Sequence, residues 1–328
     1  MTARDFATLA LLGTSAAVGI CKLAEHRLDR ISRSQISTTK PAAPFIEKRF
    51  SASSGNEISF RIGGATRPRR IYVLCHGLGT SSNYLMLLAD RLSRNQNSLV
   101  VAYDRAGYRR SRVGSAYPYS VSESLCDLGE LIGRLPKEFA GVVLVGHSFG
   151  AYIAHRFAEA YPEQVDHLWL IEPTHPREIS AVELRREGTL SVSESIRMNT
   201  ALAGLGLGVL NDSRPLASEV SGNRFSYPVE SELYTGRVWR AMRREWDTIS
   251  ALLFDGSLSV SPSGVSTRVV ASAQTNSSGA NQRELFESYL ERGESLDVIR
   301  GVNHHSILLS QEGVEAVVSL IDGASNEH

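Results

Sequence analysis

The stretch from Val142 to Glu163 reads VVLVGHSFGAYIAHRFAEAYPE, and its hydrophobic pattern changes at one point. Its first four residues form a short apolar run of the kind that is buried on both faces of a sheet. From Phe149 onward the apolar residues recur at helical spacing. Between the two patterns, Gly146-His147-Ser148-Phe149-Gly150 places a glycine two positions either side of a serine, which permits a sharp, strained turn that exposes the hydroxyl. The stretch therefore predicts a strand, a turn that carries Ser148, and a helix.

Short apolar runs alternate with segments of helical period along most of the chain. This alternation is typical of a mostly parallel β-sheet that helices cover on both faces. Two strand-like runs near the start are separated by Ser54-Gly55-Asn56, a hairpin signal, so we expect the sheet to open with an antiparallel pair. The sequence therefore predicts an α/β fold. Its predicted strands span residues 47–53, 57–62, 70–74, 98–103, 142–145, 167–171, 267–272 and 295–300.

The alternation stops after Pro176 and resumes only near residue 267. The segment up to Pro262 shows helical periods without a convincing strand, so we interpret it as an insertion. Residues 34–45 are mostly polar and contain prolines, which is typical of a linker. We therefore expect an N-terminal segment of residues 1–45, a folded core of residues 46–173 and 263–325, and a helical insertion of residues 174–262.

The composition excludes several classes of protein. The 35 basic and 35 acidic residues of the 328-residue chain cancel, so no net charge would draw the protein to nucleic acid. The three cysteines are too few for a disulfide framework, and no Cys-x-x-Cys or Cys/His cluster has the spacing of a zinc site. We expect a globular protein with neither a metal nor an organic cofactor and with no nucleic-acid partner.

One apolar run near the N-terminus stands outside this pattern. The residues from Phe6 to Cys21 carry no charge, and a helix of that length spans about 24 Å, less than a hydrocarbon core of about 30 Å unless residues up to 24 join it. Three interpretations stay open: a membrane anchor through residues 6–24, a cleaved secretory signal, and a helix of the folded protein. If the segment spans a membrane, the Lys and Arg excess after it places the rest of the chain on the cytoplasmic side; the alternatives are a secreted or a soluble protein.

A glycine-rich segment after the third predicted strand offers backbone donors. It reads His76-Gly77-Leu78-Gly79, and its glycines allow a close approach of the main chain to a bound molecule. The N–H groups of Leu78 and Phe149 could together hold the negative oxygen of a tetrahedral intermediate. We therefore predict Leu78 and Phe149 as an oxyanion hole and expect the His76 ring to be structural.

The segment after the last predicted strand offers a base. It reads Gly301-Val302-Asn303-His304-His305. A serine hydroxyl is a poor nucleophile at neutral pH unless a neighbouring group takes its proton as it attacks. We assign that role to His304, which comes directly after the Gly-x-x turn, with His305 as the alternative.

Taken in order, these motifs resemble those of the α/β-hydrolase family from Ile46 to the C-terminus. Two further segments add to the resemblance: Tyr103-Asp104-Arg105-Ala106-Gly107-Tyr108 is similar to the family's turn after the fourth strand, and Ile171-Glu172-Pro173 to its turn after the sixth. The resemblance implies an eight-stranded sheet, a helical lid between strands six and seven, and hydrolysis through an acyl-enzyme. We expect Asp104 and Arg105 to form a structural pair near the pocket.

The position of the catalytic acid departs from the family's commonest pattern. Many members carry an aspartate after the seventh strand, but the stretch from Val269 to Gln282 contains no carboxylate. Some relatives place the acid after the sixth strand, where Glu172 stands. A carboxylate there would fix the tautomer of the imidazole, and Ser148, Glu172 and His304 follow the order nucleophile, acid, base. We predict Glu172 as the acid, with Asp255 or a site without an acid as alternatives.

The resemblance implies a serine hydrolase that acts on an ester or related acyl bond of an apolar small molecule or lipid. A serine at the turn argues against epoxide or haloalkane hydrolysis, which in this family resembles the use of an aspartate nucleophile. Cleavage of amides, thioesters or carbon–carbon bonds and acyl transfer use the same three groups and stay open. A different class of protein, a ligand receptor or membrane-tethered scaffold with little turnover, is the alternative. The sequence carries no signal for an oligomeric state.

Overall fold

A computed structural model shows the predicted α/β architecture. It describes residues 3–33, 45–114, 116, 118–136, 141–178, 191–210, 225–254, 259–277 and 281–325. Every predicted strand is present, with its ends within two residues of the predicted positions. The strands are β1 (Ile46–Ser51), β2 (Glu57–Gly64), β3 (Arg70–Cys75), β4 (Ser98–Asp104), β5 (Gly141–His147), β6 (His167–Ile171), β7 (Thr267–Ser272) and β8 (Ser295–Ile299).

The eight strands form one sheet in the order β1-β2-β4-β3-β5-β6-β7-β8. β2 pairs antiparallel with both β1 and β4, whereas all the other neighbouring strands are parallel. The expected antiparallel start and mostly parallel sheet are thereby confirmed. Because parallel strands end at the same edge, the segments that follow β3, β5, β6 and β8 meet there.

Helices cover both faces of the sheet. Alternate residues of β5 face opposite sides: Val142 and Leu144 pack into one hydrophobic cluster, and Val143 and Val145 pack into another. Burial on both sides explains why the strand is a continuous apolar run. The described helices are α1 (Ala3–Ser32), α2 (Met86–Leu92), α3 (Val121–Gly133), α4 (Phe149–Ala160), α5 (Val192–Gly204), α6 (Ser226–Leu233), α7 (Gly236–Phe254), α8 (Ala273–Asn276), α9 (Gln282–Glu287), α10 (Ser306–Leu309) and α11 (Gln311–Ser325).

The chain between β6 and β7 contains helices α5, α6 and α7. Helix α5 begins with a capping box, in which the Ser191 side chain accepts from the N–H of Glu194 and the Glu194 side chain accepts from the N–H of Ser191. Helix α7 is the longest of the three, with 19 residues. Residues 179–190, 211–224 and 255–258 lie outside the described part of the chain, and Asp255, the alternative acid, is among them.

Helix α1 packs against this insertion. Residues before 46, where we predicted that the core begins, therefore also contact the folded protein. The Glu25 carboxylate accepts from the N–H of Gly236 at 2.8 Å. Asp29 forms an ion pair with Arg237 at 3.2 Å. Both partners belong to the first turn of α7, so α1 and α7 are joined by two polar contacts.

Across the described residues, no helix is both long enough and apolar enough to pass through a membrane. Helix α1 continues past the apolar run through Lys22, Glu25 and Arg27. The membrane anchor through residues 6–24, one of the three interpretations that the sequence leaves open, finds no support in the described residues.

Candidate active site

Ser148 stands on a sharp turn between β5 and α4. Its backbone has φ 53° and ψ −124°, in a region that residues with a side chain rarely adopt. The flanking glycines make room for this turn: a Cβ on Gly146 would lie 2.4 Å from the Cα of Ala151, and a Cβ on Gly150 would lie 2.2 Å from the carbonyl oxygen of Cys75. The turn expected from the pentapeptide is therefore present, and it projects the serine at the end of the central strand.

The structure brings His304 and Glu172 together. The distance from Nδ1 of His304 to Oε2 of Glu172 is 3.1 Å. Glu172 follows directly on the end of β6 with φ 51°, another strained backbone position, and is 1% exposed. Its second oxygen accepts from the N–H of Ser272, at the end of the neighbouring strand β7. The carboxylate is thus held on both oxygens, with one of them directed at the imidazole.

The contacts of Glu172 favour its ionised form. Burial alone would raise the pKa of this carboxyl, but the hydrogen bonds from His304 and from the backbone of Ser272 outweigh burial and hold the pKa below its ordinary value. An ionised acceptor at this position selects the tautomer of His304 that carries its proton on Nδ1 and leaves Nε2 free to accept a proton.

The adjacent histidine, His305, contacts a different residue. Nδ1 of His305 lies 2.8 Å from the hydroxyl of Tyr84. Burial, with the neighbouring His304, lowers the pKa of His305 to about 4. Of the two adjacent histidines, the structure therefore places His304 against Glu172 and packs His305 as a neutral ring beside a tyrosine.

The glycine-rich segment after β3 lies against the serine turn. A Cβ on Gly77 would be 3.3 Å from the Cβ of Ser148, so the two segments are in close contact. Leu78 follows Gly77, and Phe149 is the first residue of α4, where backbone N–H groups have no partner within the helix. Both predicted oxyanion donors therefore belong to segments that adjoin Ser148.

The side chain of Arg105 holds the glycine-rich segment after β3 in place. Its guanidinium donates to the carbonyl oxygen of Gly77 at 2.9 Å and also to that of His76. The same guanidinium forms an ion pair with Glu245 of α7, at 2.6 Å from Nε to Oε1, with both side chains 2% exposed. Burial opposes the charge, but Glu245 prevails and raises the pKa of Arg105. One buried pair thus links the predicted oxyanion segment to the helical insertion.

The pairing expected between Asp104 and Arg105 is wrong. Asp104 instead accepts from the N–H of Ser82 at 2.8 Å and lies 3.5 Å from the guanidinium of Arg109. Adjacent residues at the end of a strand direct their side chains to opposite faces, which separates Asp104 from the partner of Arg105.

His76 contacts main-chain groups of its own segment and of the segment after β4. Its ring is fully buried, with Nδ1 2.9 Å from the carbonyl oxygen of Gly77 and Nε2 accepting from the N–H of Arg105 at 3.1 Å. Burial and the neighbouring Arg105 hold its pKa well below the ordinary value, so the ring is neutral.

Ser148, Glu172 and His304 line one cavity of about 370 Å³. Within the described part of the chain, Oγ of Ser148 bonds to Oγ1 of Thr174, at 3.1 Å, and not to His304. The other residues of the lining are Pro173, Glu178, Val192, Trp246, Thr275 and Phe286. Apolar side chains from the insertion and from α9 thus surround the polar groups at the end of the sheet.

Sequence reasoning missed two residues of this cavity. Thr174 contacts the serine hydroxyl, and Glu178 adds a second carboxylate whose pKa is raised by burial. Their position close to Glu172 in the sequence is the only feature that could have indicated them. A threonine and a glutamate are common on any protein surface, so the residue types alone indicate no site. Over the described ranges, no three His, Cys, Asp or Glu side chains converge as a metal site requires.

Comparisons with known proteins agree on the fold. The chain is similar to the human 1-acylglycerol-3-phosphate O-acyltransferase ABHD5, with 30% identity over 132 residues that cover 37% of this chain and 35% of that protein. The curated relatives are thus matched over about a quarter to a third of their length.

Two solved structures share the architecture more fully. One is a membrane phospholipase A, described as a bacterial virulence factor, with a TM-score of 0.62 and 18% identity over 99% of this chain and 100% of that one. The other is epoxide hydrolase I of potato, Solanum tuberosum, with a TM-score of 0.60 and 14% identity over 87% of this chain and 100% of that one. At such identities the likeness concerns the fold alone.

A sequence profile of the alpha/beta hydrolase family matches residues 72–319. The matched span contains the serine turn, Glu172 and His304 and all of the parallel strands but the first residues of β3. With the eight-stranded sheet and the strained serine at the end of β5, the match shows that this chain belongs to the alpha/beta hydrolase family.

Proposed function

We propose that this protein is a serine hydrolase that cleaves a carboxylic ester, or a related acyl bond, of an apolar small molecule or lipid. The observation that carries the proposal is the joint placement of Ser148 and the Glu172-bonded His304 on one cavity. A nucleophile, a base and a group that orients the base are the three parts that acyl transfer to a serine requires.

In the proposed mechanism, Oγ of Ser148 attacks the carbonyl carbon while Nε2 of His304 takes the hydroxyl proton. The hydroxyl first leaves its hydrogen bond with Thr174 and turns to His304. Glu172 accepts from Nδ1 and stabilises the imidazolium that forms. His304 then gives the proton to the leaving alcohol, and a water molecule hydrolyses the acyl-enzyme by the same steps in reverse.

The backbone N–H groups of Leu78 and Phe149 are proposed to stabilise the oxygen that becomes negative in the transition state. This role fits their position on the two segments that adjoin Ser148. Main-chain donors held by a rigid loop need no reorganisation during the reaction. The Arg105–Glu245 pair supports this proposal, since it fixes the carbonyl groups of the preceding residues.

The lining of the cavity supports an uncharged, apolar acyl substrate. Val192, Trp246 and Phe286 provide apolar surface, and the described lining contains two carboxylates but no Lys or Arg. A phosphate or sulfate group beside the ionised Glu172 would be repelled. In this proposal the insertion of residues 174–262 acts as a lid, because Val192 and Trp246 belong to it.

A fluorophosphonate probe tests the proposal directly, because it reacts with an activated serine and not with an idle one. We expect the wild-type chain to be labelled at Ser148 and the Ser148→Ala variant to stay unlabelled. A series of chromogenic esters of rising acyl length would then measure the size of the cavity. A folded wild-type protein that neither labels nor hydrolyses any ester would favour a ligand receptor or scaffold instead.

Acyl transfer is the second candidate, favoured by the similarity to 1-acylglycerol-3-phosphate O-acyltransferase ABHD5. An alcohol can discharge the same acyl-enzyme in place of water. The two reactions separate when the ester is supplied with and without glycerol or a monoacylglycerol: a new ester product shows transfer, and free acid alone shows hydrolysis.

A further inference from the structure

Large apolar side chains are exposed mainly on one part of the described surface. Ten such side chains are exposed among the residues whose side chains the structure describes, and six of them belong to α1, α6 and the region of α5. Ile20 and Leu23 are the most exposed of the ten, at 68% and 72%. Clusters of this kind on a soluble domain usually mark a binding surface. The six are Ile20, Leu23, Met198, Leu202, Leu205 and Tyr227.

Helix α1 separates its charges between two faces. Its carboxylates at Glu25 and Asp29 point into the insertion, where they contact Gly236 and Arg237. The opposite, solvent-facing side carries Ile20 and Leu23 and then, one and two turns later, exposed Arg27 and Arg30. The outward face over residues 17–33 is therefore apolar and basic, with no carboxylate.

A second exposed apolar stripe lies on α5. Met198, Leu202 and Leu205 recur at i, i+4 and i+7, which places them on one side of the helix, and all three are exposed. An amphipathic helix of a globular protein ordinarily buries such a stripe. Here it faces solvent, so the packing of the insertion on the core leaves it uncovered.

Helix α1 touches the end of α5. Nζ of Lys22 donates to the carbonyl oxygen of Gly204 at the end of α5. A Cβ on Gly206 would lie 2.7 Å from the backbone nitrogen of Lys22, so the two backbones touch. Leu205 is next to this junction on one side, and Leu23 is next to it on the other. We call the exposed side chains Ile20, Leu23, Arg27, Arg30, Leu202 and Leu205 on these two touching helices the α1–α5 surface.

We propose that the α1–α5 surface binds the anionic face of a phospholipid bilayer. Apolar side chains beside arginines suit such an interface. The apolar side chains insert at the boundary between the headgroups and the acyl chains, and the guanidinium groups bind the lipid phosphates. A second copy of the chain fits less well, because a two-fold pairing through this patch would bring Arg27 and Arg30 of both copies together. The proposal does not depend on the ester chemistry above.

Vesicle co-sedimentation with the full chain tests this surface. The probes are vesicles of phosphatidylcholine alone and of phosphatidylcholine mixed with phosphatidylglycerol. We expect wild-type protein to bind the mixed vesicles more tightly and to lose affinity at high salt. The Leu23→Glu/Leu205→Glu and Arg27→Glu/Arg30→Glu variants should each bind the mixed vesicles about tenfold or more weakly.

Matched controls carry the same changes elsewhere on the surface. Val298 is exposed at 39% on β8 and Arg292 is exposed in the segment before it, so Val298→Glu and Arg292→Glu should leave vesicle binding unchanged. The proposal would be overturned if wild-type protein bound neither kind of vesicle, or if the variants of the α1–α5 surface bound like wild type. Patch variants that lower the oligomeric mass in light scattering without changing vesicle binding would show a second copy as the occupant. Hydrolysis of a short soluble ester, measured in parallel without vesicles, reports separately on the proposed function.

Discussion

Two glutamates at the boundary between the core and the insertion are buried almost equally, yet they ionise in opposite ways. Glu172 is 1% exposed and has a lowered pKa, whereas Glu232 of α6 is 3% exposed and has its pKa raised to about 8 by burial. The exposed fraction of a carboxyl by itself therefore does not decide its charge in this protein.

The difference lies in what surrounds each carboxyl. Glu232 accepts from the neutral hydroxyl of Ser81 and the amide of Asn83, and the nearby carboxylate of Asp104 opposes its ionisation. Glu172 accepts from a backbone N–H and from His304, a ring that gains a charge when it takes a proton. The region around Ser148 is thus built to keep an acid ionised, and the cluster under α6 to keep one neutral.

The largest expected effect comes from making Glu172 neutral. The Glu172→Gln variant should acylate about 10³- to 10⁴-fold more slowly, because His304 loses both its preferred tautomer and the charge that stabilises its protonated form. Stopped-flow kinetics with a chromogenic ester measures this rate. Glu178→Gln, in the same cavity, is the matched control and should lose less than about tenfold. Rates near wild type for Glu172→Gln would reject it as the acid.

The buried Arg105–Glu245 pair should give the next largest effect. Glu245→Gln leaves a buried guanidinium without its countercharge, so we expect the free energy of unfolding in urea to fall by about 3–5 kcal/mol. The double variant Arg105→Met/Glu245→Leu removes both charges and should recover only part of that loss, because the carbonyl group of Gly77 and the hydroxyl of Tyr108 also lose partners. A double variant that is less stable than the single one would show that the pair is itself a net source of stability.

The cluster around Glu232 should make stability fall as pH rises. An acid with a raised folded-state pKa keeps its proton in the folded state while the unfolded chain loses it, so stability declines from the ordinary Glu value up to about 8. From about pH 5 to about pH 7 we expect a loss of about 2 kcal/mol from this group. Buried histidines with lowered pKa values, such as His76 and His305, contribute the opposite slope, so the measurement compares the two proteins. In urea unfolding, the change in stability from pH 5 to pH 7 should be about 2 kcal/mol more favourable for Glu232→Gln than for wild type. An equal change in the two proteins would mean that Glu232 is ionised in the folded protein.

The smallest expected effect is at Tyr84. Tyr84→Phe removes the hydroxyl that contacts Nδ1 of His305, which should cost about 0.5–1.5 kcal/mol of unfolding free energy. Ester hydrolysis should change only a few-fold, since the contact of His304 with Glu172 does not involve this hydroxyl. Tyr227→Phe, on an exposed ring, is the control for loss of a hydroxyl. A collapse of activity in Tyr84→Phe would instead assign His305 a direct part in the chemistry.

Much of the fold could be predicted from the sequence because its signals are local. The strand from Arg70 to Cys75 and the strand from His167 to Ile171 are short apolar runs, and burial on both faces selects that pattern wherever the strand lies in the sheet. The serine turn could be predicted as well, because it requires glycine at positions 146 and 150. The backbone there leaves no space for a Cβ.

The residues between β6 and β7 were harder to predict. Their helices pack on a core that is distant in sequence, so local periodicity shows that helices exist but not which faces are buried. For the same reason the contact of Thr174 with Ser148 and the place of Glu178 in the cavity were missed. The packing of α1 was missed as well, because an apolar run alone suits a membrane, a leader or a folded helix.

The sequence by itself determined the order of the elements and the serine turn, and it proposed Ser148, Glu172 and one of two adjacent histidines for catalysis, since each rests on a pattern within a few residues. Only the tertiary structure decided which of two adjacent histidines meets Glu172, and that Arg105 pairs with Glu245, 140 residues away, and not with its neighbour Asp104. Such choices depend on which groups folding brings within hydrogen-bonding distance in a dry interior, where each buried charge must find a partner.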